Sequence, residues 1–254
     1  MKLNGVKRAL KEGRVQLGTA YQQMRSQDAV RILAAAGFDW AFLDAEHGGF
    51  GIGELQDLCR MAVKVGLSPV IRVADLQYAL VARALDCGGE GVIFPRVESP
   101  EALAQAVSWT KFPPTGTRGC GLTPLHVDFE PASIPQIMEH SNAETMVVLQ
   151  IETLRAVEAR DELLSVPHID AVMVGPVDLS ISLGVPGEFE HPKMLEAVGK
   201  IFDSCRKYGV APGAQARNAA LAKRWKEMGA LFLGCSSEVQ MMYERAREVA
   251  SQLR

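Results

Sequence analysis

Two acidic residues stand where a strand would hand over to a helix. Val147-Val148-Leu149-Gln150-Ile151 is an apolar run broken by one amide and followed at once by Glu152. Ala171-Val172-Met173-Val174 stops at Gly175-Pro176-Val177, with Asp178 just beyond. Either acid alone is what commonly caps a helix, where free backbone N–H groups favour a carboxylate. Together, at the ends of successive strands and with Gln150 beside them, they form a pair of hard oxygen donors. Such a pair suits Mg²⁺ or a similar divalent ion and leaves positions for water and a chelating ligand. No cysteine or histidine lies in these segments, which speaks against structural zinc.

A second group of reactive types surrounds Ala41-Phe42-Leu43-Asp44-Ala45-Glu46-His47-Gly48-Gly49. His47 follows Asp44 by three residues, and a carboxylate beside an imidazole can fix its tautomer and raise its basicity. A lone histidine is more often structural. Here the glycine pair behind it admits a backbone or a ligand, and His47 is predicted to act as a general base. Glu46 is the alternative partner, or a metal ligand through water. Arg72 ends the apolar run Ser68-Pro69-Val70-Ile71, and a buried arginine needs an anion. That anion is either Asp44 or Glu46 in a structural ion pair, or a substrate carboxylate or developing oxyanion. Arg96 and Arg118 are weaker cationic candidates. No lysine ends a predicted strand, since Lys64, Lys111, Lys193, Lys200, Lys207, Lys223 and Lys226 fall in helices or loops. A Schiff-base mechanism is therefore not expected. No P-loop or well-placed dinucleotide-binding glycine motif is present.

The elements that position these groups alternate along the chain. Short apolar runs at 15–19, 41–44, 68–73, 91–95, 145–151, 171–174, 210–213 and 230–234 read as eight strands. Helical patterns lie between them, with Ser26, Asp75 and Ser99 as predicted caps and Pro100 in a first turn. The stretch from Phe112 to Pro135 shows no regular pattern, and a loop of that length is usually functional. Eight strand–helix units make a parallel sheet, and eight is the closing number of the (β/α)8 TIM barrel. One domain over residues 1–254 is expected, with chemistry at the C-terminal strand ends, where Asp44, His47, Arg72, Gln150, Glu152 and Asp178 all fall.

Composition sets the outer bounds. The chain has 254 residues, 48% of them hydrophobic and 22% charged, with a net charge of -3. This argues against general nucleic-acid binding and carries no membrane-surface signal. The five cysteines are scattered singly, as in a reducing compartment. No signal peptide or membrane span is read in the sequence, and a cytoplasmic location is the expectation.

Several motifs carry a family likeness. Ala36-Gly37-Phe38-Asp39-Trp40, Asp44-Ala45-Glu46-His47, Ile71-Arg72-Val73, Pro113-Pro114-x-Gly116-x-Arg118-Gly119, Gln150-Ile151-Glu152 and Gly175-Pro176-x-Asp178-Leu179-Ser180 keep order and spacing across nearly the whole chain. They resemble the HpcH/HpaI family of metal-dependent class II pyruvate aldolases. The resemblance implies a TIM barrel of the phosphoenolpyruvate/pyruvate type whose C-terminal helix is exchanged between subunits of a homohexamer, a trimer of dimers. It implies lyase chemistry, the reversible cleavage of a 4-hydroxy-2-oxo acid to pyruvate and an aldehyde through a metal-bound enolate. Glu152 and Asp178 would bind the metal, Mg²⁺ first, with Mn²⁺ or Co²⁺ as alternatives. Arg72 would hold the pyruvate oxygen, and His47, supported by Asp44, would handle the proton. Gln150, Gly175, Pro176 and Val177 would line the substrate site, and Asp86 matches an acid lent to a neighbouring subunit.

Three departures bear on the pocket and the acceptor. Val177 stands where the family often has alanine. Phe94 to Ser99 looks more like citrate lyase β-chains and malyl-CoA lyases. Leu122 to Glu130 lacks a small-residue run. An acyl-CoA lyase is thus the alternative within lyases, and a non-catalytic binding barrel is the alternative outside enzymes.

Overall fold

Alternation of side chains along each strand gives the molecule two hydrophobic layers. In the computed structural model, which describes residues 1–254 apart from the Leu125 side chain, eight parallel strands close into a barrel in sequence order. They are β1 (Gln16–Tyr21), β2 (Trp40–Asp44), β3 (Ser68–Arg72), β4 (Gly91–Phe94), β5 (Met146–Ile151), β6 (Ala171–Val174), β7 (Gly213–Ala216) and β8 (Phe232–Ser237). One set of side chains, including Trp40, Phe42, Val70, Ile93, Val148, Met173 and Phe232, packs together as one cluster inside the barrel. The alternate set, including Ala41, Leu43, Ile71, Val92, Leu149 and Val172, packs against the surrounding helices. This is the period-2 pattern of strands covered on both faces.

The interior is filled unevenly, large residues against none. Trp40 stacks on Phe232 with ring centroids 3.8 Å apart. Gly18 on β1 makes this possible, because a Cβ there would fall on the Trp40 ring. The N-terminal helix Gly5–Lys11, capped by the Asn4 side chain, closes the bottom by adding Val6 and Leu10 to the inner cluster.

Most element boundaries agree with the sequence reading, and the exceptions have physical causes. Ser26 and Ser99 accept from the first-turn amides of Asp28 and Ala102. Asp75 does not cap the helix after β3. That helix, Tyr78–Asp86, starts at Gln77, and Asp75 accepts instead from the adjacent Leu76 amide. The stretch 112–135 holds a 3-10 turn, Pro124–Val127, and the start of helix Ile134–Glu144. The seventh and eighth strands lie later than read. Val210 to Pro212 form only one isolated bridge, between Ala171 and Ala211, and the ladder begins at Gly213. Gly213-Ala214-Gln215-Ala216 has no β-branched residue to mark it as a strand.

Candidate active site

Register brings the charged residues together before any side chain is considered. Asp44 and Arg72 are paired positions at the ends of β2 and β3. The Arg72 guanidinium grips Asp44 with two hydrogen bonds, Nε to Oδ1 at 3.0 Å and Nη2 to Oδ2 at 2.7 Å. Its Nε also lies 3.2 Å from Glu46 Oε2, an ion pair without hydrogen-bond alignment. The guanidinium stacks over Phe42 at 4.8 Å, so an almost buried cation is fixed on three sides.

Asp44 is wholly buried and organises its surroundings through every lone pair it has. Beyond Arg72, Oδ2 accepts from Gln22 Nε2 at 2.9 Å, and Oδ1 accepts the backbone N–H groups of Glu46 and His47 at 3.1 Å. Burial pushes its carboxyl upward, but Arg72, Gln22 and the His47 amide pull harder and hold it below the usual range. Asp44 therefore serves the His47 backbone and not its ring. The imidazole Nε2 lies 3.7 Å from Glu46 Oε1 instead, and the ring is largely exposed at the cavity mouth.

The carboxylate pair is built differently. Glu152 lies one residue past β5 and is 3% exposed. Its Oε1 accepts the Arg96 backbone N–H at 2.8 Å, and its Oε2 accepts the Gln150 amide. Arg96 reaches this position in a left-handed conformation, φ 56°, which few non-glycine residues adopt. Burial raises the Glu152 carboxyl above its ordinary range. The Arg96 amide and Gln150 oppose the rise, and the charge of Asp178 adds to it. Asp178 sits exposed in the first turn of helix Pro176–Ser182, at a site the helix dipole favours for an anion. Gly175 lets the two strands' ends approach, since a Cβ there would lie 2.7 Å from Glu152 Oε2 and 2.9 Å from Gln150 Nε2.

These groups share one cavity of about 520 Å³ at the C-terminal strand ends. His47, Arg72, Gln150, Glu152, Gly175, Pro176, Val177 and Asp178 line it, with Asp44 directly behind Arg72. A buried carboxylate and an exposed one whose charge acts against it, beside an unpartnered Gln150 Oε1, fit a hard divalent cation. Among the described residues no group of three or more His, Cys, Asp or Glu that could hold a metal ion is found, so a cation held here would rest on two acids from the protein.

Arg118 and Asp86 lie outside the cavity lining and pair with each other at 2.8 Å. The cavity also contains residues that the sequence reading passed over: Gln22, Gln215, Arg217, Ser236, Ser237 and Gln240. Placing β7 three residues early hid Gln215 and Arg217, which a correct period-2 reading would have aimed inward.

The family model described as HpcH/HpaI aldolase/citrate lyase matches residues 19–244. A 4-hydroxy-2-oxo-heptane-1,7-dioate aldolase of Escherichia coli is 32% identical over 248 residues, covering 98% of this chain and 94% of that protein. The crystal structure of an HpcH/HpaI aldolase from Desulfitobacterium hafniense DCB-2 superposes with a TM-score of 0.94 at 34% identity, covering 99% of this chain and 97% of that one. An aldolase/citrate lyase family protein from Burkholderia cenocepacia J2315 superposes with a TM-score of 0.91 at 29% identity, covering 99% of both chains. With the likeness running through every strand that carries a cavity residue, the chain belongs to the HpcH/HpaI aldolase/citrate lyase family, a family of lyases.

Proposed function

We propose that the protein is a divalent-metal-dependent class II aldolase that cleaves a 4-hydroxy-2-oxo acid to pyruvate and an aldehyde, and joins them in reverse. The observation that carries this reading is one cavity holding two carboxylates, a fixed guanidinium and an exposed imidazole. Glu152 and Asp178 would hold the ion, with Mg²⁺ the best match to all-oxygen donors and Mn²⁺ or Co²⁺ as alternatives. When bound, the ion supplies Lewis acidity for the carboxylate and ketone of the 2-oxo acid. Arg72 faces the same region and stabilises negative charge as it develops on the pyruvate oxygen. Its geometry is set beforehand by Asp44, so no reorganisation is needed at the moment of reaction. His47 takes the 4-hydroxyl proton in cleavage and returns it in addition. Val177 and Pro176 give the pyruvate methylene an apolar wall. The exposed Val239, Met242, Tyr243, Val249 and Leu253 of the terminal helix Glu238–Gln252 and its end support a homo-oligomer, for which a hexamer of paired chains is our reading.

The test is pyruvate release from short 4-hydroxy-2-oxo acids with and without added divalent ions. Activity should vanish in a chelator and return with Mg²⁺, Mn²⁺ or Co²⁺. Borohydride with pyruvate should leave no adduct, because no lysine lines the cavity among the described residues. Full turnover in chelator would overturn the reading, and cleavage of malyl-CoA in its place would move it to the acyl-CoA lyases.

A further inference from the structure

Glu238 is the first residue of the terminal helix, where an acid ordinarily lies in water and favours the helix dipole. Here it is 5% exposed. The helix already has its cap, since the Ser237 side chain accepts from the Gln240 amide. The Glu238 carboxylate turns instead toward the end of β1. Its Oε1 accepts three consecutive backbone N–H groups, those of Gln22, Gln23 and Met24, at 2.9, 2.6 and 3.1 Å. Among the described residues none of these three donors has a backbone acceptor, so one carboxylate oxygen holds the whole turn.

A bulge aims the side chain there. Gly18 on β1 stands opposite Gly234 on β8, and Ala20 stands opposite Ser237. β8 thus uses three residues where β1 uses two, with Ser236 in a left-handed conformation, φ 59°. Bulges bend a strand and re-aim its side chains, and they recur beside active sites.

The turn that Glu238 holds is itself a clamp on His47. Gln22 Nε2 donates to Asp44 Oδ2 at 2.9 Å, and the Gln22 carbonyl accepts the Gly49 N–H at 3.3 Å. Three residues on, Arg25 Nη2 donates to the Gly49 carbonyl at 2.9 Å. Gly48 lies between, where a Cβ would press on the carbonyl oxygens of both Asp44 and Gln22. The segment from Asp44 to Gly49 is therefore gripped at both ends by the turn after β1, and His47 is carried on it. The His47 side chain is largely exposed, so its place is set chiefly through its backbone.

We infer that Glu238 is a positioning residue for the reaction. It acts through the turn after β1 to keep the His47 backbone in place, and it ties the terminal helix to proton transfer. The inference rests on the aldolase reading above, which gives His47 the 4-hydroxyl proton. Loss of the carboxylate would leave three N–H groups without their acceptor and loosen the clamp. A misplacement on the order of 1 Å is enough to cost a reaction about a hundredfold. The carboxylate pair follows β5 and β6, outside the clamped segment, and Arg72 keeps its two bonds to Asp44. Binding of the 2-oxo acid should therefore survive.

The test compares Glu238→Ala and Glu238→Gln, each checked by a melting curve, with Mg²⁺ present. Two reactions are followed, cleavage of 4-hydroxy-2-oxopentanoate and decarboxylation of oxaloacetate. Glu238→Ala should lower kcat for cleavage by roughly ten- to a hundredfold with KM nearly unmoved, and decarboxylation should fall less. Glu238→Gln keeps an oxygen that can accept the three N–H groups and should recover most of the loss. Should Glu238→Ala not fold, Glu238→Asp takes its place, because the shorter side chain withdraws the oxygen and should produce the same split. In a His47→Ala background, Glu238→Ala should cost cleavage less than about threefold more, since residues acting as a unit are not additive. A purely structural role would cost the same in either background or in both reactions, and either result would overturn the inference. Hydrogen exchange reads the clamp without turnover. The amides of Gln22 to Met24 and of Gly49 should exchange faster in Glu238→Ala than in the wild type, while those of β5 stay unchanged; unmoved rates at the four amides would also overturn it. Wild-type cleavage matched by Glu238→Ala overturns the positioning role and keeps the aldolase. No pyruvate release by the wild type from either substrate overturns both.

Discussion

Arg72 shows how much a single side chain's environment decides. The sequence leaves open whether it is a structural ion-pair partner or a catalytic cation, and the structure gives it both ion-pair partners and a place on the cavity wall. Asp44 and Glu46 fix it, and the cavity receives it. Arg72→Lys keeps the charge but cannot make the two-pronged grip on Asp44. The variant should fold and lose about 3 kcal/mol of transition-state stabilisation, the scale of one oxyanion donor. Steady-state kcat/KM measured beside a melting curve checks this, and near-wild-type turnover would leave Arg72 a structural residue. His47 is the converse case, since among the described residues the one ion-pair partner of its ring is Glu46, at 3.7 Å, and the side chain is largely exposed. His47→Ala should leave metal and pyruvate binding nearly intact while carbon–carbon cleavage falls by roughly 10²–10⁴, the worth of a positioned general base. Oxaloacetate has no 4-hydroxyl to deprotonate, so its decarboxylation should suffer less on the same preparation. Equal losses would assign His47 to metal or enolate binding.

At the scale of the element, legibility followed side-chain size. Strands β2, β3 and β5 were readable because apolar runs end on or against charged residues, and β6 because its apolar run stops at Gly175-Pro176; that contrast is what a barrel mouth looks like in one dimension. β7 was not, because Gly213, Ala214 and Ala216 carry little apolar surface, and its wall residues Gln215 and Arg217 went with it. Backbone devices were equally hidden. The left-handed Arg96, whose N–H meets Glu152, cannot be read from an arginine in a Pro-Arg-Val sequence. Glycine roles sit at this scale too. Gly18 has no unusual φ and looks dispensable, yet it makes the space in which Trp40 lies on Phe232. Gly18→Ala should destabilise the barrel by about 1–3 kcal/mol, the usual cost of overpacking. Because β1 and β2 are displaced together, Gln22 and its bond to Asp44 should move with them. Chemical denaturation of the variant tests the first point, and an unchanged midpoint would mean that the Trp40 ring slides aside freely.

At the scale of the whole molecule, the two ends of the barrel do different work. The mouth holds charges for chemistry, and the base holds them under the N-terminal helix. There the Lys7 and Lys111 ammonium groups both donate to the Thr145 carbonyl, at 3.0 and 2.9 Å. Lys111 also donates to the Asn142 carbonyl at 3.0 Å, while Lys7 pairs with Asp170 at 3.2 Å. Lys111 is 2% exposed. Burial lowers its pKa from 10.5 to about 7, with the charges of Lys7, Lys11 and Arg118 adding to the fall and Asp170 opposing it. Between those two values the unfolded chain binds a proton that the folded chain does not. Stability therefore rises with pH across that window, and below about pH 7 the folded state carries the cost of a buried charge. His168, the nearby imidazole, is itself pushed lower and titrates outside the window. The buried thiols act in the opposite sense, because burial raises Cys87 to about 11 and Cys205 to about 12, so alkaline pH draws protons from the unfolded chain first. Comparing the wild type with Lys111→Met cancels the thiols and isolates the lysine. The wild type should gain on the order of 2–4 kcal/mol relative to the variant between pH 7 and pH 10. Methionine leaves the Asn142 carbonyl without this donor, so the variant should be the weaker protein at high pH, by about 1–3 kcal/mol. Urea midpoints for both proteins at several pH values decide it: parallel curves would mean that Lys111 stays charged in the fold and that the base of the barrel is wetter than its geometry indicates.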